Sequence, residues 1–169
     1  MIAARVRELG NYGSAVKYYN DERGVNSRLD PIQAAVLSVK LKHLDTWNKR
    51  RQHIATTYSQ VLDGLELGLP TVPEWAEPVW HLYVVATPER DALQAHLASV
   101  GIQTLIHYPV PPHLQKAYQP LEIEAGTLPI SERLAKQLLS LPMGPHLAED
   151  PVQQVLLALT SSCAVSRKI

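Results

Sequence analysis

The chain has 169 residues, is 46% hydrophobic, and balances sixteen Lys and Arg against sixteen Asp and Glu. That length buries one good core with a short appendage from a second domain, and the charge balance excludes a global field for nucleic acid or an anionic membrane, so any anion site is local. The single cysteine, Cys163, excludes an internal disulfide and a cysteine-based zinc site, and no window approaches about 18 uninterrupted apolar residues, so a cytoplasmic protein without a membrane span is expected.

Ile2, Val6 and Leu9 stand at helical spacing before Gly10 and predict the last turns of a helix. The tyrosine-rich NYGSAVKYYNDERG predicts a hairpin with its turn near Asn20 and Asp21. Asp30, Pro31 and Gln33 then occupy N-cap, N1 and N3 of a capping box. Leu37, Leu41, Leu44, Trp47, Ile54, Tyr58, Val61 and Leu65 continue the helical spacing, with no proline between Pro31 and Pro70 and Gly64 available near the end. They predict a helix over residues 31–66, about 45 to 50 Å long, which bridges two domains. A bend near NKRRQH is the alternative, and that charge run itself reads as a solvated helix face.

WHLYVVA alternates as a strand, with His81, Tyr83 and Val85 on one face and Trp80, Leu82 and Val84 on the other. Thr87 and Pro88 start a helix whose Leu93 and Leu97 point inward and whose end is marked by Gly101. IQTLI follows as a second strand, so residues 80–106 predict a small α/β layer whose two strands need not be neighbours. HYPVPPHL is a loop by its prolines. Leu134, Leu138 and Leu141 predict a helix over 130–140, a second capping box at Asp150-Pro151-Val152-Gln153 predicts another over 151–162, and residues 163–169 form a tail.

Two segments carry candidate chemistry. In GVNSRLD, Asn26 and Arg28 stand two apart in an extended segment and project an amide and a guanidinium to one side, just before a helix N-terminus suited to a phosphate. The same residue types also belong in turns and N-caps whatever the function. In HYPVPPH, His107 and Tyr108 follow directly on a buried strand, where α/β proteins position ligand groups, although proline-rich loops also serve simply as connectors. No metal is expected, because the histidines lie in no HxxxH or HxH spacing. No G-x-S-x-G elbow, GxGxxG or Walker loop occurs either.

The order NYGS, KYYNDERGVNSRLDPIQAAVLSVKLKHLDTWNKRR, WHLYVV, RDALQAHLASVGIQTLIHYPVPPHLQKAY and LPISERLAKQLLSLPMGPHL resembles the C-terminal half of the DegT/DnrJ/EryC1/StrS family. Those enzymes are aminotransferases that use pyridoxal phosphate on nucleotide-linked keto-sugars. The resemblance implies the small C-terminal α/β domain of a fold-type I aminotransferase over 67–162, the bridging helix over 31–66, and a remnant of the large cofactor domain with an interface hairpin over 1–30. It implies that Asn26, with Arg28 nearby, contacts the phosphate of a cofactor held by the other subunit of a homodimer. His107, Tyr108 and His113 are implied substrate contacts. None of Lys17, Lys40, Lys42, Lys49, Lys116, Lys136 or Lys168 stands in the family's Schiff-base motif, so the chain alone is expected to bind no cofactor and to be inactive, Met1 being an internal methionine of a longer parent. The alternative is a non-catalytic dimerisation or interaction module derived from the same family. Neither nucleic acid nor membrane is an expected partner. The expected ligands of the parent are a nucleotide-linked keto-sugar and an amino-acid donor.

Overall fold

The computed structural model describes residues 1–166, with side chains through Ser161. It divides into two compact units, Met1–Leu44 and Asp45–Ile169.

In the first unit α1 (Ile2–Gly10) leads into a folded-back loop. The expected hairpin is not a strand ladder, because its main-chain bonds converge on a few carbonyls. Asp21 and Glu22 both donate N–H to Gly13 O, at 3.1 and 3.3 Å, Val25 N donates to Leu9 O at 2.8 Å, and single bridges join Asn11 to Asn26 and Val16 to Tyr19. The tight turn therefore falls at Lys17 and Tyr18, where Tyr18 adopts φ 72°, rather than at Asn20 and Asp21. Gly24 keeps a structural part: a Cβ there would collide with the backbone of Leu9, Tyr12 and Gly13.

α2 (Pro31–Leu41) begins at the expected proline, but the Asp30 side chain makes no capping bond, so Pro31 and the extended backbone of Asp30 define the start. The single helix expected over 31–66 is two. His43 N donates to Lys40 O three residues back, at 3.0 Å, a tightened turn that ends α2 before α3 (Leu44–Leu62) begins. Gly64, at φ 75°, lies just beyond the end of α3.

The second unit is built on α3, whose Ile54, Ala55, Tyr58 and Leu62 are buried. Strand β1 (Tyr83–Ala86) is shorter than expected. Trp80 turns at φ 52° and leaves His81 exposed, so only Tyr83 and Val85 of the expected inward face are buried. α4 (Arg90–Ser99) buries Leu93 and Leu97 and closes at Gly101, φ 81°, with Ile102 N donating to Leu97 O at 2.9 Å.

Two expectations exchange places beyond α4. IQTLI forms no strand and contributes one bridge, Leu105 to Ser140. The helix predicted over 130–140 ends as α5 (Pro129–Gln137), and Leu138–Leu141 form β2, antiparallel to β1 with Tyr83 opposite Leu141. Leu134, Leu138 and Leu141 match helical spacing by coincidence. Burial of Leu139, Ser140 and Leu141 in succession marks a strand covered on both faces, which shows no alternation. Gly68 pairs with Ala86 on β1, so the layer runs Gly68, β1, β2, Leu105, and β2 separates the two segments that sequence read as strands.

α6 (Glu149–Ser166) starts before the expected box, inside which Asp150 and Pro151 already lie in its first turn. Its backbone includes residues 163–166 of the expected tail, residues 167–169 lie outside the described residues, and the side chain of Cys163 does so too. Val152, Val155, Leu156 and Leu159 complete one core with α3, α4 and the sheet. Each such side chain contributes about 1.5 to 3 kcal/mol by leaving water. NKRRQH is not simply a solvated face. Arg50 donates to Leu147 O at 3.2 and 2.8 Å and pairs with Glu149 at 3.0 Å, and Arg51 reaches the Trp80 and His81 carbonyls at 3.1 and 3.2 Å.

Candidate functional sites

In the first unit Arg28 organises the cluster expected from GVNSRLD. Its Nε donates to Asn26 Oδ1 at 3.2 Å, its Nη1 donates to Asn11 Oδ1 at 3.3 Å, and its guanidinium carbon lies 5.9 Å from the centre of the Tyr12 ring. Asn11 is fixed from the other side by its own amide, which donates to Ser14 O at 3.3 Å. The expected pair is thus in contact, and Asn11 is a third member that sequence reading missed. Seventeen residues separate it from Arg28, so no local spacing points to it.

Arg28 also lines a cleft of about 680 Å³ with Arg7, Glu8, Asn11, Ser14 and Ser27. Because Asn26 Oδ1 already accepts from Arg28, its amide nitrogen is the pole left for an incoming acceptor. The cleft wall itself carries two guanidinium groups and the Ser27 hydroxyl, donors suited to a phosphate, beside the Glu8 carboxylate, and Asn26 adjoins it through Arg28 without lining it. These groups do not fit covalent attachment of an aldehyde cofactor, since no lysine lines this cleft.

In the second unit the proline loop carries the other candidates. The His107–Tyr108 peptide is cis. His107 Nδ1 lies 2.8 Å from Ser140 Oγ on β2, a bond that orients the imidazole, and its ring meets Tyr108 edge-on at 5.5 Å between centroids. Tyr108 is 73% exposed and stands open to a solute. Both line a cleft of about 220 Å³ with Val110, Pro111 and Pro112 on the loop side and Ser131, Leu134, Ala135 and Leu138 on the α5 side.

His113 does not join them. Only 4% of its side chain is exposed, its Nε2 lies 3.1 Å from Glu132 Oε1, and it is absent from the cleft wall. Glu132 also accepts N–H from Gly126 at 2.8 and 3.0 Å and from Leu128 at 3.4 Å. Those backbone donors, Gly126 first, and the His113 bond hold the Glu132 carboxyl below the usual carboxylate range. Neither Glu132 nor Ser140 was legible as a site residue, because both fell inside a predicted helix.

The sequence profile of the DegT/DnrJ/EryC1/StrS aminotransferase family matches residues 1–160. The chain belongs to that family. It is 49% identical over 159 residues to a dTDP-3-amino-3,4,6-trideoxy-alpha-D-glucose transaminase of Streptomyces venezuelae, covering 94% of this chain and 42% of that protein. It is 48% identical to the erythromycin biosynthesis sensory transduction protein EryC1 of Saccharopolyspora erythraea, again over 94% of this chain and 43% of the relative. A crystal structure of S. venezuelae DesV in complex with a ketimine intermediate superposes with a TM-score of 0.93 at 48% identity, over 96% of this chain and 44% of that one. The chain therefore spans less than half the length of these relatives. Its fold is the corresponding α/β portion of a fold-type I aminotransferase, as the resemblance implied. Among the described residues no helix is long and apolar enough to cross a membrane.

Proposed function

We propose that this chain supplies the interface segment and the small α/β domain of a homodimeric, cytoplasmic aminotransferase that moves an amino group from glutamate to a nucleotide-linked keto-sugar. The observation that carries the reading is the Asn11–Arg28–Asn26 chain of hydrogen bonds, which fixes an amide donor beside a guanidinium in a chain 49% identical to a dTDP-sugar transaminase.

Each group has a stated task. Arg28 neutralises phosphate charge and orients Asn26, while Asn26 donates its amide N–H to a phosphate oxygen of the cofactor held by the other subunit. Pyridoxal phosphate, when bound, supplies the electron sink that amino transfer requires. The lysine amine that moves the proton comes from outside the two clefts described. His107, oriented by Ser140, and the exposed Tyr108 contact the sugar nucleotide. On this reading the chain alone holds no cofactor and transfers no amine.

The test is a chimera in which residues 1–160 replace the matching portion of the S. venezuelae transaminase. Retained cofactor and amino transfer from glutamate to a dTDP-keto-sugar are expected, with neither detected for the 169-residue chain by itself. A folded, dimeric chimera that retains no cofactor and turns nothing over would overturn the assignment.

A further inference from the structure

The loop that carries His107 and Tyr108 is fastened at two points, both on the α5–β2 segment that forms the opposite wall of its cleft. At one end His107 Nδ1 meets Ser140 Oγ at 2.8 Å, and Ser140 is only 4% exposed. At the other end His113 Nε2 meets Glu132 Oε1 at 3.1 Å, with side-chain exposures of 4% and 18%. Between these points lie Tyr108, Val110, Pro111 and Pro112, which face Ser131, Leu134, Ala135 and Leu138 across the cleft. The distance between the walls is thus set by two side-chain bonds. Among the described residues one main-chain pairing adds to them nearby, the bridge from Leu105 to Ser140, and it lies before the loop begins.

The protonation of the second fastening follows from its surroundings. His113 Nδ1 is buried with no partner. An ionised carboxylate only accepts, so Nε2 is the donor of the bond to Glu132. Glu132 is itself held in place by the Gly126 and Leu128 N–H groups, which tie the turn before α5 to the same carboxylate. One side chain therefore locks three segments: the 3-10 turn Pro112–Leu114, the turn at Gly126, and the start of α5.

We propose that His113, Glu132 and Ser140 are positioning residues which fix the His107–Tyr108 loop against α5 and β2, and that they act on sugar-nucleotide binding without touching the ligand. The assignment of His113 to substrate contact is replaced by this indirect role. It rests on the proposed function in one respect, that His107 and Tyr108 meet the sugar nucleotide.

The fastening is tested on the full 169-residue chain by amide hydrogen exchange. In Glu132→Ala, amides of residues 107–115 are expected to exchange at least about tenfold faster, while those of β1 and β2 stay within about threefold of the parent. Glu132→Gln, which keeps a carbonyl acceptor for His113, should restore most of the protection. Unchanged exchange in the loop, or equal acceleration throughout the sheet, would overturn the proposal. The effect on the reaction is read in the chimera, where Glu132→Ala and Ser140→Ala should each raise KM for the keto-sugar nucleotide about tenfold, leaving kcat and the KM for glutamate within about twofold. His107→Ala and Tyr108→Ala run alongside as direct contacts. If they raise that KM and the two positioning variants do not, the proposal fails and the functional reading of the loop stands. If none of the four moves it, the reading of the loop as a substrate contact fails and takes the proposal with it.

Discussion

In the second unit Tyr58, Leu62, Leu97 and Leu159 are wholly enclosed, whereas in α2 Ile32, Val36, Leu37, Val39 and Leu41 are all more than half exposed. Both regions are rich in apolar side chains, yet α1 and α2 bury none of theirs. An isolated helix of the 11 residues of α2 is marginal in water, and contiguous exposed apolar surface of this kind marks an interaction face. The difference teaches that the two units are made for different ends. Residues 45–161 close a core on themselves, whereas α1 and α2 leave their apolar side chains uncovered. On the proposed function, residues 1–44 present these surfaces and the Arg28 cluster to the rest of the enzyme dimer.

The contrast predicts unequal costs for equal truncations. Leu97→Ala removes a fully buried side chain and should destabilise the second unit by about 2 to 5 kcal/mol in a urea titration. Leu37→Ala, at a position 53% exposed, should stay within about 0.5 kcal/mol. Equal losses at the two positions would remove the basis of the comparison.

Alkaline pH separates the units next. Burial, and then the neighbouring charge of Tyr83, pushes the Tyr58 hydroxyl far above its ordinary value of 10.0. Burial raises Tyr83 as well, against a smaller lowering by its bond with Ser59. Each folded-state value lies above the unfolded one, so this stabilisation is complete below about pH 10 and is lost progressively as the pH rises further. Urea midpoints of the second unit should fall between about pH 10 and 12, and Tyr58→Phe should flatten that fall while giving up the bond to Pro142 O, about 1 kcal/mol at neutral pH. A midpoint independent of pH in this range would contradict the account of the buried pair.

The smallest effect concerns α2. Its exposed apolar residues should drive self-association of the 169-residue chain, and Val36→Glu with Val39→Lys should reduce the apparent mass in light scattering without changing the urea midpoint of the second unit. A clean monomer at high concentration before any substitution would break the link between exposure and partner.

How far the sequence spoke follows the same division of local and distant causes. Pro31 and Gly101 act through their own backbone preferences and stand at the helix boundaries that sequence reading assigned, while Gly64 follows a helix that ends at Leu62, short of the residue 66 expected. Ser140 and Leu139 could not be read, because a strand covered on both faces loses its alternation and Leu134, Leu138 and Leu141 imitate a helix. The bonds of Arg50 and Arg51 reach carbonyls 97, 29 and 30 residues away, beyond any window of periodicity. In the candidate sites, Asn26 with Arg28 and His107 with Tyr108 were nominated from local chemistry and lie in contact, while their holders Asn11 and Ser140 could not be named, being 17 and 33 residues distant. His113 shows the converse: a motif neighbour whose ring the fold turns inward.

The central claim, that the first unit serves a site outside itself, is tested most directly by cofactor occupancy in a mixed dimer of the chimera. One subunit carries Asn26→Ala and keeps the Schiff-base lysine, and the other keeps Asn26 and lacks the lysine. The all-alanine dimer, deprived of a charge-assisted hydrogen bond of about 1.5 to 3 kcal/mol, should retain cofactor roughly 10- to 100-fold more weakly. With contact made across the dimer, the single lysine-bearing site of the mixed dimer receives an intact Asn26 from its neighbour and should hold cofactor as tightly as the unmodified enzyme. Occupancy as poor as that of the all-alanine dimer would show that Asn26 serves the site of its own subunit and would contradict the account.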